Sequence, residues 1–127
     1  MAIIGSTTTD GPESRVADGT LTGDDYMSLV ASKDTSARAA AAARDDAPLG
    51  ALLAFAQDSK VEVRVAVASN PAIGRAASIA ETLAQDKSAD VARALVENSA
   101  VHSSVVARIA DVGPRAVRAL AQGRLLA

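Results

Sequence analysis

Apolar residues return along this chain at helical spacing. Leu49, Leu52, Leu53 and Ala56 fall at i, i+3, i+4 and i+7, and Ala76, Ile79, Ala80 and Leu83 repeat that set, which predicts two amphipathic helices. Val105, Ile109 and Val112 predict a third, and Val117 with Leu120 turned inward a fourth. Ahead of them, Thr22 and Asp25 form a Thr-x-x-Asp capping box. It opens a helix running to about Ala31, with Tyr26, Met27, Leu29 and Val30 as its apolar set and Leu21 and Tyr26 as a hydrophobic staple. Asp34 or Ser36 starts the next helix, ARAAAAAR, which has nothing to stop it before Asp45-Asp46. Residues 1–20 are rich in Gly, Thr, Ser and Asp and carry neither a helical nor a strand period.

One stretch reads two ways. In VEVRVAVAS, Val61, Val63, Val65 and Val67 alternate as in a strand. Helix is nevertheless expected, because Ser59 and Glu62 offer a capping box and the matching segment DVARALVEN places Val91 and Leu95 at i, i+4. Asn70-Pro71 should end that helix and open the next, since proline excludes α geometry from the residue before it and is welcome at the first helical position. From Leu21 onward the expectation is eight helices in four hairpins.

The helices recur in register. DSKVEVRVAVASNPAI, residues 58–73, matches DKSADVARALVENSAV, residues 86–101, at a spacing of 28: Asp58 with Asp86, Val63 with Val91, Ala66 with Ala94, Asn70 with Asn98. Upstream, Asp34 and Asp58, and Leu49 and Ile73, stand 24 apart, and GPRAVRALAQGRLL is a looser fourth copy. Repeats of this length mean stacked supersecondary units, in which equivalent segments share one structure. The expected organisation is an extended or flexible N-terminal arm over residues 1–20, followed by an all-α repeat array over residues 21–127. The arm is either a flexible tail or a strap that orders on a partner or along the array.

Composition sharpens this picture. Thirty alanines stand against one Phe, one Tyr and no Trp in 127 residues, so helices must approach closely on small side chains. Net charge is −2, with residues 1–32 at −4 and residues 33–127 at +2, and neither balance marks a polyanion binder. Without Cys there are no disulfides, thiolate nucleophiles or Cys-ligated metal centres. No apolar run reaches membrane-spanning length and the start has no basic leader, so a cytoplasmic location is expected, or a virion if the chain is a phage structural subunit.

The run Asp-x-x-Val-x-Val-Arg-x-Ala-Val-Ala-x-Asn-Pro resembles the signature of the leucine-rich repeat variant, a bacterial α-solenoid repeat related in shape to HEAT repeats. Residues 58–73 carry it most fully; residues 86–101 have Ala92 in place of Arg and Ser99 in place of Pro. The resemblance covers roughly residues 24–124 and implies a right-handed α-α solenoid of about four two-helix repeats presenting a curved surface. It carries no single function with it.

Candidate chemistry is sparse. His102 is the only histidine, beside Ser103 and Ser104, and one His without Cys or a carboxylate cluster completes neither a metal site nor a catalytic one. No GxGxxG, P-loop or HExxH occurs, so no catalytic, cofactor or metal residue is assigned and a non-enzymatic module is expected. The second helices offer Arg38, Glu62, Arg64, Asp90, Arg93, Glu97 and Arg118, a mixed-sign set suited to a protein partner or to copies of the chain itself. The same residues also suit an ordinary solvated face with local pairs such as Asp90 and Arg93. The alternative is binding to a nucleic-acid backbone through Arg108, Arg115, Arg118 and Arg124, where Asp111 is the one nearby acid; near-neutral repeats and the lack of aromatic platforms weigh against it. The chain ends on Leu125-Leu126, without the polar outer face a terminal repeat needs, which suggests an end that folds back or docks.

Overall fold

A computed structural model describes residues 11–17 and 19–127. Among them are nine α-helices, one 3₁₀ segment and no strand: α1 (Pro12–Arg15), α2 (Gly23–Val30), α3 (Thr35–Ala42), α4 (Leu49–Ala56), α5 (Val61–Ser69), the 3₁₀ turn (Pro71–Arg75), α6 (Ala77–Ala84), α7 (Ala89–Glu97), α8 (Ser103–Val112) and α9 (Arg115–Leu126). The protein is therefore all-α. Contacts run between helices two apart. α2 meets α4, α4 meets α6 and α6 meets α8, while α3, α5, α7 and α9 make a second such file. Sequential partners such as α4 with α5 and α8 with α9 join the files.

The helix starts follow capping chemistry. Thr22 and Asp25 form the expected reciprocal box, and Asp34 accepts the N–H groups of Ser36 and Ala37. The Ser59–Glu62 box does not form: α5 begins at Val61 with Lys60 in the cap position. There the carboxylate of Asp58 accepts the Lys60 N–H instead, as Asp86 does for Ser88. The valine-rich α5 is nevertheless helical. Its Val63 and Val67, four apart, are buried, and Val61 and Val65, also four apart, are half-buried beside them.

Between α5 and α6, Pro71 opens a 3₁₀ turn rather than the α-helix itself, which starts only after a non-helical Ala76. Asn70 caps this turn by accepting the Ala72 N–H. Gly74 lets the turn pack closely on the loop before α8, where a Cβ would sit 3.1 Å from the carbonyl oxygen of Ala100, tighter than an ordinary contact.

The core is built of small residues at close approach, with the two aromatic side chains, Tyr26 and Phe55, fully enclosed. Several inward residues differ from expectation. In α4, Ala51, Leu52, Phe55 and Ala56 are buried while Leu49 and Leu53 are exposed. LGALLAFA is apolar nearly all round, so its period cannot choose a face, and burial of the large Phe55 does. Met27, Val112 and Leu120 are likewise exposed, with Leu29, Ile109 and Ala121 taking the inward positions.

At the N-terminal end, residues 12–15 form a helical turn on α2 and Val16 is buried, although no period in the sequence announces it. Residues 1–10 and 18, the rest of the expected arm, lie outside the described residues. At the other end α9 continues to Leu126, with Leu125 and Leu126 exposed as the sequence suggests, while polar residues share its outer side. Ala42, Ala68 and Val96 are buried in α3, α5 and α7, whereas the corresponding position in α9 is an exposed Gln122, flanked by exposed Arg115 and Arg118.

Candidate functional site

Two columns of polar side chains run through the joined helices and decide which residues remain free to act. The first lies at the helix C-termini, where carbonyl groups lack intrahelical donors. Asn70 donates to Ala42 O at 2.8 Å and Arg44 O at 2.7 Å; Asn98 donates to Ala68 O at 2.9 Å and Asn70 O at 3.0 Å. Arg124 takes the same place in α9 and donates to the carbonyls of Leu95, Val96, Asn98 and Val101. Arg44 takes it in the first unit, donating to Val16 O and Gly19 O.

Arg44 is also the centre of a small network. Its guanidinium pairs with Asp46 at 2.8 Å and donates to the Tyr26 hydroxyl, which in turn donates to Asp46 at 2.5 Å. Burial, then the hydrogen bond to the Asp46 carboxylate, pushes the Tyr26 phenol up to about 12. The Arg44 and Tyr26 hydrogen bonds hold Asp46 down to about 2, and Asp46 raises Arg44 further above its already high value.

The second column is ionic. Arg38 grips Asp58 through Nε at 2.7 Å and Nη2 at 3.1 Å, with Nη1 on Ser32 O. Arg64 repeats the motif on Asp86, at 2.7 and 3.3 Å, with Nη1 on Asp58 O. Desolvation raises the Asp58 carboxyl, but the Arg38 hydrogen bond and the Lys60 N–H outweigh it and leave the pKa lowered. The third position is Ala92, fully buried, and in α9 Arg118 turns its Nε to Gly113 O.

These columns sort the candidate residues. Arg38 and Arg64 hold neighbouring helices together, and their donors face inward to Asp58 and Asp86. Glu62, Asp90, Arg93 and Glu97 remain on the surface and come together: with Val61, Val65, Ser69 and Ala94 they line a groove of about 450 Å³ between α5 and α7. None of the four enters an ion pair among the described residues. Arg118 lies apart on α9.

Of the arginines considered for nucleic acid, Arg124 is enclosed by main-chain carbonyls and Arg118 donates to one, leaving Arg108 and Arg115 exposed without such bonds. His102 caps α8, its Nδ1 accepting the Ser104 N–H. Among the described residues no group of three His, Cys, Asp or Glu could hold a metal ion, and no helix is long and apolar enough to cross a membrane.

Sequence reasoning missed Arg44 and Arg124 as structural donors. The signal was present, because each stands 26 residues from an asparagine of the column, Arg44 before Asn70 and Arg124 after Asn98. No family model matches the chain, and no curated protein or solved structure matches it.

Proposed function

We propose that this chain is a non-enzymatic protein-interaction or scaffold module, built as a short α-α solenoid of about four two-helix repeats, with the groove between α5 and α7 as its binding surface. The observation that carries this reading is the division of labour among polar residues. Arg38, Arg64, Asn70, Asn98 and Arg124 satisfy the fold, whereas Glu62, Asp90, Arg93 and Glu97 meet at one groove and satisfy nothing inside it. Contacts between helices two apart, and hydrogen bonds that recur about 28 residues back along the chain, support the repeat architecture.

A photo-crosslinker at Ser69, inside the groove, and one at Thr82, on the exposed side of α6, test the surface. Crosslinks to one defined protein from Ser69 and not from Thr82 are expected. Equal labelling from both positions, or labelling from Thr82 alone, overturns the assignment.

A narrower variant is a small structural subunit of a larger assembly, such as a phage particle, with the first residues as a strap. Light scattering on the full chain and on a variant lacking residues 1–10, which keeps α1 and its Arg44 bonds, tests it. Assembly lost with those residues supports the variant; a monomer in both rejects it.

A further inference from the structure

We infer that the groove between α5 and α7 takes a cationic polypeptide segment, with a Lys or Arg side chain set between Glu62 and Asp90 and an apolar neighbour on the groove floor. The inference rests on the reading of that groove as the binding surface and adds the chemistry of its occupant.

The floor is apolar. Val61 and Val65 of α5 and Ala94 of α7 line it, and they are half-buried or buried already, so a small aliphatic contact completes their removal from water. The rim carries three carboxylates and one guanidinium, a local charge of −2. Glu62 and Asp90 occupy equivalent positions, 28 residues apart, on helices that contact each other directly. Two like charges on neighbouring helices repel unless a cation lies between them.

Elsewhere the protein supplies that cation from within: Asp58 receives Arg38, Asp86 receives Arg64, and Asp46 receives Arg44. At the groove the described residues supply only Arg93, one turn further along α7 than Asp90 and at the position equivalent to Val65 rather than Glu62. Glu97, a turn beyond Arg93, adds a third carboxylate beside Ser69. The arrangement is complementary to a segment whose basic side chain reaches the Glu62–Asp90 end. An acidic segment would add to the repulsion there.

The flanks favour polypeptide over a compact ligand. On the α3 side the exposed residues are Ser36 and Ala40, so main chain can approach the charged centre there over small side chains, while on the α9 side the exposed Leu120 stands between Ala116 and Gly123 as a further apolar contact.

The test is a two-dimensional NMR titration of the full-length protein with two capped heptapeptides, one alternating Leu and Arg, the other alternating Leu and Glu. The Arg peptide is expected to shift the amide signals of Glu62, Val65, Ser69, Asp90 and Glu97, saturably and with an affinity that falls as salt is raised. Glu62→Gln and Asp90→Asn should each weaken binding about two- to fivefold, the worth of one exposed ion pair, and Arg93→Gln should strengthen it by a similar factor. The Glu peptide should produce no shifts.

Three results would overturn the inference: no shifts in the groove, equal shifts with both peptides, or shifts confined to the acidic Asp24–Asp25 turn. If Ser69 crosslinks a partner and the Arg peptide still fails to bind, the groove stands as the binding surface and its preference for cations falls. If the Arg peptide binds and no partner crosslinks at Ser69, the cation site stands and the role as an interaction module falls.

Discussion

The side-chain amide of Asn98 donates to the main-chain carbonyl of Asn70, 3.0 Å away, and the Asn70 amide reaches in the same way to the carbonyls of Ala42 and Arg44. Each asparagine also accepts an N–H two residues on, Ala72 for Asn70 and Ala100 for Asn98. One side chain thus ends its own helix, shapes the following turn and satisfies the end of the helix two before it.

Asn70 is 1% exposed, so its replacement leaves donors and acceptors without access to water. Asn70→Ala is expected to cost about 2–3 kcal/mol, the range for stranding buried polar groups. Asn70→Asp should cost more, because it turns an amide donor into a carboxylate facing two carbonyl oxygens. Urea unfolding of the three proteins, followed by circular dichroism, measures both.

Arg124 and Arg118 should behave oppositely despite lying two turns or less apart on α9. Arg124→Ala removes a charged donor from four carbonyls and is expected to destabilise the protein by about 2–3 kcal/mol. Arg118→Ala removes one hydrogen bond, to Gly113 O, from a largely exposed side chain and should stay within about 0.5 kcal/mol. Thermal melts of the two variants decide the matter.

The Arg38–Asp58 pair is about 10% exposed on both sides, so breaking it by removing one partner is expected to be severe, about 3 kcal/mol for Asp58→Ala. Adding Arg38→Met should recover part of that loss, because no guanidinium is then left buried alone. The protein already tolerates an apolar rung at Ala92, where the corresponding arginine is absent. A double-mutant cycle in urea gives the coupling.

The same carboxylates set an acid limit. Asp25, Asp46 and Asp58 have folded pKa values below that of an unfolded Asp, about 3.9, with Asp46 at about 2. Their stabilisation is complete above the unfolded value and is lost as pH falls through the folded ones, from about pH 4 to about pH 2. Denaturation midpoints across that window should fall, and fall less steeply in Asp58→Asn.

Tyr26 sets the alkaline counterpart. It is the one tyrosine in the chain, so tyrosinate absorbance reports it alone. Its midpoint is expected at about 12 in the folded protein against about 10 in urea. A folded pKa raised in this way stabilises the protein below about pH 10 and loses that contribution as pH rises to about 12. A folded midpoint near 10 would contradict both the burial of the phenol and its bond to Asp46.

Much of the architecture was legible in residue order. The Thr22–Asp25 box, the cap at Asp34 and the inward faces of Ala76–Ile79–Ala80–Leu83 and of Val91–Leu95 follow from local rules of capping and period, and the structure has each of them. The helical state of VEVRVAVAS followed from its match to residues 86–101 and not from its own alternation.

Tertiary structure alone decided the rest. Which side of LGALLAFA turns inward depends on where Phe55 finds space, because an element apolar all round has no preferred face. The docking of Pro12–Arg15 depends on partners distant in sequence: Arg15 pairs with Asp25 at 2.7 Å, Ser32 donates to Glu13, and Arg44, 28 residues beyond Val16, donates to the Val16 carbonyl. The candidate surface shows the same division. Arg38, Arg64, Glu62 and Arg93 are alike in sequence as charged residues of second helices. Their side chains diverge because positions 38 and 64 face carboxylates of the next hairpin across a drying interface, where a guanidinium must be paired, while positions 62 and 93 face water. Sequence periodicity fixes which residues share a helix face, and only the packing of one helix file on another determines which of those faces is still open to a partner.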